Sequence, residues 1–518
     1  MPLPHPDSNA SFLRRIGLFS IGLICLGYSL FTADFAEMQL SLPGFPVPIF
    51  VGEMLLFFCV ALLAVLWMKN PPGATRWHIL LGCYVAWVLA TAFSGHGTYG
   101  PLALRSAALF YYPLFAVITF AFFRKEDYSL AVTQFLWLLT GILLFLHVVN
   151  GYFQIPCFLF FILLSLGLKK EARILTAVAA VLLLWPYQFF GVGSRSHMVS
   201  YLLACLWLFS YLVFAHWPMS SRQRPLVWFF LLGALLLTFI RFADQTALKT
   251  LIAVDQIGQL YRHYDKIVEE RKARYHPIPI NPQIYQSNRH GPATETQVRE
   301  KLGLVDEAYY ESLKGSRGEG AQLENSPGQE RFINVDGEDV SVGTFSQSQS
   351  QRPWSTAYLT AVFRLFVWRD MIQEMIHERA WWGINWGKPQ RSPSLEILEW
   401  GVTSWGQDGW ILPHNSYLHM IYRAGIVGVI MVLSLFWILG WLAWQSFRNR
   451  FLPQALLLSV LVYWFTLGHS MVLLELPYYA IPIWSLLGIM LALAKDQSVT
   501  GHSIGHKVTS HKNFPVTL

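Results

Sequence analysis

The hydrophobic positions of this 518-residue chain gather into long unbroken runs separated by short polar connectors. A run of about 20 apolar residues crosses the hydrocarbon core as a helix, because lipid offers no partner to an unsatisfied backbone group. Twelve such runs predict spans at approximately 13–33, 48–68, 77–95, 104–123, 129–149, 151–168, 172–191, 197–215, 225–243, 420–445, 452–471 and 477–495. The first follows Arg14 and Arg15 as a signal peptide would. No small-residue cleavage site stands out after it, however, and Asp34 to Pro48 leads directly into a second span, so it reads as a retained helix.

The pattern changes between the ninth and tenth spans. Residues 255–275 have helical spacing and mixed charge, whereas 276–352 is rich in Pro, Gly, Gln and Ser and reads as a mobile or loosely structured insertion. From 355 an amphipathic helix is predicted, with Leu359, Val362, Phe363, Phe366, Met371 and Met375 on its apolar side and Gly383 as its stop. The expected organisation is a bundle of nine helices over 1–243, a polar segment over 244–419, three more helices over 420–495 and a flexible tail over 496–518.

Composition agrees with a membrane protein: 54% of residues are hydrophobic and 13% charged, against about 25% charged in soluble domains. Aromatic residues at 15% also argue against disorder. The five cysteines lie in apolar stretches without paired or metal-like spacing, which supports neither a disulfide framework nor a zinc site. The net charge of +7 is scattered through connectors and forms no stripe for nucleic acid, so the bilayer is the expected partner. Positive charge is held on the cytoplasmic side of short loops. One set of loops carries Lys69, Arg76, Arg124, Lys125, Lys169, Lys170, Arg173, Arg222, Arg224, Arg448 and Arg450, whereas the opposite set of short loops carries only Arg105 and Arg195. This bias predicts an all-α integral membrane protein of about 12 transmembrane helices, with both termini cytoplasmic and 244–419 facing outward.

Three outward features carry candidate chemistry. In G-V-G-S-R-S-H at 191–197, Arg195 either snorkels to the surface or faces a polar cavity. Arg364 and Trp368 share a helix face at i, i+4 and precede G-I-N-W-G at 383–387; a solvated Arg beside an interfacial Trp explains the pair nearly as well. In P-H-N-S-Y-L-H at 413–419, His414 sits where the segment re-enters the membrane and is suited to accept a proton near neutral pH. A cap or an interfacial polar residue is the plainer role for it. His419, about 140° further around a helix, is poorly placed to share a metal with it. Two permanent cations and one titratable base suit a diphosphate leaving group and an incoming hydroxyl, with no metal or other cofactor expected. Elsewhere, Glu53 and Glu475 are expected to pair with arginines, Arg105 and Arg241 to snorkel, and Trp381, Trp382 and Trp386 to join an interfacial belt.

The twelve spans, the late outward loop, S-R opening one short loop, R-x-x-x-W followed by G-x-x-x-G, and P-H-N-x-x-L running into G-I-V-G together resemble the O-antigen ligase and Wzy polymerase superfamily of bacterial envelopes. The resemblance covers about 185 to 445 in order. It implies a GT-C-like fold with a large periplasmic loop between helices 9 and 10. It also implies a metal-independent, inverting glycosyltransferase in the bacterial inner membrane, which passes a glycan from undecaprenyl diphosphate to an acceptor hydroxyl on a glycan or on lipid A-core. By motif, Arg195 and Arg364 would hold the diphosphate, His414 would activate the acceptor, and Asn415 and Trp368 would join the substrate-binding set. Ser196 departs from the usual small residue after S-R, and the insertion exceeds the common family loop, which leaves the acceptor open among those of a ligase, a polymerase and an enzyme that glycosylates a protein hydroxyl. The rival from another class is an envelope lipid or polysaccharide transporter or flippase.

Overall fold

The structure, a computed structural model, describes residues 8–36, 38–40, 49–69, 76–100, 102–123, scattered helical residues between 196 and 211, 248–273, 275, 332–335, 338–341, 353–398, 413–449 and 452–509. The expected spans at 129–149, 151–168, 172–191 and 225–243 lie outside these residues, as does most of the insertion. Among the described residues the chain is predominantly helical. Five helices are long and apolar enough to cross a membrane: Asn9–Tyr28, Val51–Lys69, His78–Tyr99, Ile426–Asn449 and Pro477–Lys495. These are the helices of a multi-pass membrane protein.

The elements run α1 (Ser8–Ala36), β1 (Gln39–Leu40), β2 (Ile49–Phe50), α2 (Val51–Lys69), α3 (Arg76–Tyr99), α4 (Leu102–Tyr111) and α5 (Leu114–Phe122). After these come α6 (Leu248–Lys272), β3 (Phe332–Val335), β4 (Glu338–Ser341), α7 (Pro353–His377), α8 (Pro393–Ile397), α9 (Ser416–Ala424), α10 (Ile426–Asn449), α11 (Leu452–Leu467) and α12 (Pro477–Thr509). Each strand pair is antiparallel, and β3 with β4 gives the insertion a hairpin that its composition did not announce.

Several boundaries differ from the sequence expectation for identifiable reasons. The single span expected at 104–123 is two helices, because Pro113 has no N–H to continue the ladder and the chain turns at Tyr112–Pro113. The span expected from 420 begins at Ile426, since α9 is a separate helix ending at Gly425. α12 continues to Thr509, so residues 496–509, expected as part of a flexible tail, are helical.

The chain divides into two compact units. One comprises 1–88, 108–244 and 430–518, the other 89–107 and 245–429. In the first unit α12 lies close along α5. A Cβ built on Gly488 would stand 2.2 Å from the Ala116 carbonyl oxygen, a distance only glycine permits. Beside it the buried Thr119 hydroxyl lies 2.7 Å from the Phe115 carbonyl oxygen and 3.0 Å from that of Ser485, so its one proton serves either helix. Glu53, at the start of α2, accepts hydrogen bonds from the hydroxyls of Tyr111 and Tyr112; these phenols stand where an arginine was expected. A carboxylate in a span needs donors to offset lost hydration, and a phenol provides one without a second charge.

In the second unit α6 and α7 pack through Tyr264, Val268, Val362, Phe363, Phe366, Val367 and Met371, with Ile384, Leu395, Ile397 and Tyr422 closing the core. The helical spacing of 255–275 and the apolar side of α7 are both seen in this packing. α7 stops at His377, before Gly383. The Ala380 N–H reaches the Met375 carbonyl (2.9 Å) and the Arg379 N–H that of Ile376 (3.2 Å), which is a Schellman closure with Arg379 left-handed at φ 49°.

Gly488→Val is expected to force α5 and α12 apart and to cost about 1–3 kcal/mol. Thermal unfolding in detergent measures it, and an unchanged midpoint would mean that this crossing is not close-packed.

Candidate active site

The predicted site residues that the structure describes all belong to the second unit. Arg364 and Trp368 lie one turn apart on α7, and His414 and Asn415 lie just before α9. Arg195 and Arg241 lie outside the described residues, and Arg105 is in α4.

The Trp368 indole Nε1 donates to the Pro413 carbonyl oxygen at 2.7 Å, and this bond fixes the 413–415 turn against α7. One helical turn back, the Phe363 ring meets the His414 imidazole edge-on, with centroids 6.5 Å apart. Phe363 and Trp368 thus bring the part of α7 that carries Arg364 next to the His414 turn. Arg364 is half-buried and its Nε–H has no hydrogen-bond partner. No carboxylate pairs with it among the described residues. Burial holds its pKa below the usual guanidinium value, although it stays protonated at any physiological pH.

His414 has a left-handed backbone, φ 49°. Histidine tolerates this better than most residues, but it still costs about 1–2 kcal/mol. Such strain persists where surrounding contacts over-determine it, and it clusters at functional sites. One of those contacts is Asn415. Its Oδ1 accepts from the N–H groups of Tyr417 (3.1 Å) and Leu418 (3.0 Å) and caps α9, so this oxygen is committed to the helix and only the amide nitrogen faces other duties. An Asn one position ahead of an apolar-periodic stretch is a capping signal, readable from N-S-Y-L-H-M-I.

Sequence reasoning missed three features around the site. Asp370, 6% exposed, accepts from the hydroxyls of Ser392 (2.5 Å) and Ser394 (2.7 Å) and from the Ser394 N–H (2.9 Å), which locks α8 onto α7. Arg369, next in the chain, is tied to Asp265 of α6 and to the Ser394 hydroxyl (2.6 Å). Lys388 bridges Glu374 (2.7 Å) and Glu378 (2.6 Å), and the Tyr422 hydroxyl donates to Glu374 at 2.5 Å. These partners are far apart in sequence and have no spacing signature. They also explain why Arg369 is a structural neighbour of Arg364 and not its double.

The G-x-x-x-G element is a backbone device. Gly383 and Gly387 both have φ near +89°, and a Cβ on Gly383 would lie 2.3 Å from the Arg423 carbonyl oxygen. Between them Trp386 is fully buried and donates to that same carbonyl at 2.9 Å, so it is core and not interfacial belt; Trp381 and Trp382 are exposed. Arg423 is itself buried, donating from Nε to His419 Nε2 (3.2 Å) and from Nη1 to the Asn385 carbonyl (3.0 Å). His419 therefore has a structural partner. A cavity of about 310 Å³ adjoins, lined by Thr91, Ser94, Trp382, Asn385, Trp386 and Arg423 among others. Among the described residues no three His, Cys, Asp or Glu side chains gather as metal ligands.

No protein-family model, curated protein or solved structure matches this chain.

Asn415→Ala is expected to cost about 1 kcal/mol of stability through the lost cap, with Asn415→Ser retaining most of it. Thermal unfolding of the two variants checks this, and equal losses would mean that the cap does not matter. Gly383→Ala should destabilise more than Asn415→Ala in the same assay, because it meets both a clash and a positive φ.

Proposed function

We propose that the chain is an inverting, metal-independent glycosyltransferase of the O-antigen ligase and polymerase kind, which moves a glycan from undecaprenyl diphosphate to an acceptor hydroxyl. On this reading it has twelve spans of GT-C-like arrangement in the bacterial inner membrane, with both termini in the cytoplasm and 244–419 in the periplasm. The observation that carries the reading is a half-buried guanidinium, Arg364, with an unpartnered Nε–H and no carboxylate partner among the described residues, on the helix that also holds a strained His414 in place. A guanidinium withdrawn from water without a partner is a site for an anion.

The chemistry follows from those two groups. The acceptor oxygen attacks the anomeric carbon as the bond from that carbon to the diphosphate oxygen breaks on the opposite face, which inverts the centre. The hydroxyl proton passes to the His414 imidazole. The negative charge that grows on the departing undecaprenyl diphosphate is stabilised by Arg364, and by Arg195 as the second cation of the resemblance. Trp368 holds the His414 turn against α7 through Pro413, and Asn415 caps the helix that follows.

With a labelled undecaprenyl-diphosphate glycan and membranes holding the full chain, His414→Ala should lower transfer by about 10²–10⁴-fold. His414→Asn, which accepts the left-handed backbone but carries no base, should fall as far, and both should elute as folded protein. Arg364→Lys should also be damaging, because an ammonium cannot reproduce the fork. Undiminished transfer by His414→Asn would remove His414 as the base. The labelled product distinguishes a polymerase from a ligase.

A further inference from the structure

Helix α7 was expected within the outward segment, yet one of its exposed faces is apolar. Leu365, Ile372 and Ile376 follow each other at i, i+7 and i+11 and fall within an arc of about 40°. They are 38%, 46% and 71% exposed. On the opposite side, Phe363, Val367 and Met371 are packed in the core against α6, so the ridge is a second apolar face and not a core face left open. Just past the end of the helix come Trp381 and Trp382, 74% and 75% exposed.

The height of this surface is set by the backbone. The Trp381 carbonyl accepts the N–H of Ile426 (2.9 Å), the first residue of the apolar helix α10, and the Ile384 N–H donates to the Tyr422 carbonyl (2.7 Å). At the other end of the same turn, a Cβ on Gly95 would lie 2.5 Å from the Trp386 carbonyl oxygen, and one on Gly387 2.7 Å from the Tyr99 Cβ. Gly95 and Tyr99 are at the C-terminal end of the apolar helix α3. The 381–387 turn therefore touches the last turn of one candidate span and the first of another, which places it at a membrane boundary, where tryptophan side chains are favoured.

We infer that α7 is an interfacial helix: its Leu365, Ile372 and Ile376 ridge and the Trp381–Trp382 turn lie in the headgroup and upper acyl layer of the bilayer that α10 crosses. The occupant of the ridge is lipid, because the turn is hydrogen-bonded to the first residue of a helix that exposes Ile426, Ile430, Leu433 and Trp437. On the proposed function, on which this consequence alone rests, Arg364 precedes Leu365 and is thereby held at the height of a lipid-linked diphosphate.

The test places the photoreactive residue p-benzoylphenylalanine singly at Ile372, Ile376, Lys266 or Trp437 of the full chain in nanodiscs of phosphatidylethanolamine and phosphatidylglycerol, and weighs the irradiated protein. Lys266, exposed on α6, is the aqueous control, and Trp437, 77% exposed on α10, is the lipid control. Lipid adducts at 372 and 376 approaching the yield at 437, and severalfold above 266, are expected. Adducts at 437 with 372 and 376 no higher than 266 would overturn the inference. Adducts to another part of this chain at 372 and 376 would overturn it as well, by showing protein over the ridge. Since no transfer is measured, the result stands apart from the fate of the enzymatic reading.

Discussion

The hydrogen bond from the Trp368 indole to the Pro413 carbonyl is the constraint that turns two remote stretches of chain into one site. This bond ties the 413–415 turn to α7, and the Phe363–His414 ring contact adds to it. The bond is short at 2.7 Å and joins residues 45 apart in sequence. It also gives Trp368 a reason to be tryptophan: a large apolar body against the helix and one donor aimed at a carbonyl. The strain at His414 is tolerable because this bond before it and the Asn415 cap after it leave the backbone no alternative.

The rest of the second unit keeps α7 where that bond requires it. Asp370 with its serine donors, Arg369 with Asp265, and Lys388 with its two glutamates bind α7 to α8, α6 and the following turn. Apart from the exposed Glu378, these groups are half-buried or buried, the setting in which ion pairs fix geometry more than they add stability. Among the described residues no carboxylate pairs with Arg364 and its Nε–H has no partner, and that contrast with Arg369 and Lys388 is what the proposed anion would answer.

Much of this was legible from hydrophobic period alone. The long apolar runs at 48–68 and 77–95 return as helices within a few residues, the run at 477–495 returns as the first part of a longer helix, and the 3.6-residue spacing of Val362, Phe363, Phe366 and Met371 marked the buried side of α7. Periodicity says nothing, however, about where a helix stops when its cap is made by an unexpected residue. Arg379 closes α7 in a conformation usually taken by glycine, and Gly383, which looked like the stop, instead allows a close approach to Arg423. The partners of Glu53, Asp370 and Trp368 were illegible for a different reason. Each is joined to a residue that only the three-dimensional fold brings near, and no local spacing encodes it. Trp386 shows the same limit, since three neighbouring tryptophans divide into one that is core and two that are exposed.

The central claim is that Arg364 waits for a diphosphate while His414 waits for a proton, and binding separates the two roles without any turnover. Undecaprenyl diphosphate lacking a glycan can be titrated into the full chain in nanodiscs, with wild type, Arg364→Gln and His414→Asn compared side by side. The account predicts at least a tenfold loss of affinity for Arg364→Gln, the equivalent of about 1.4 kcal/mol, and near-unchanged affinity for His414→Asn. Equal affinity of the wild type and Arg364→Gln for this lipid would contradict it.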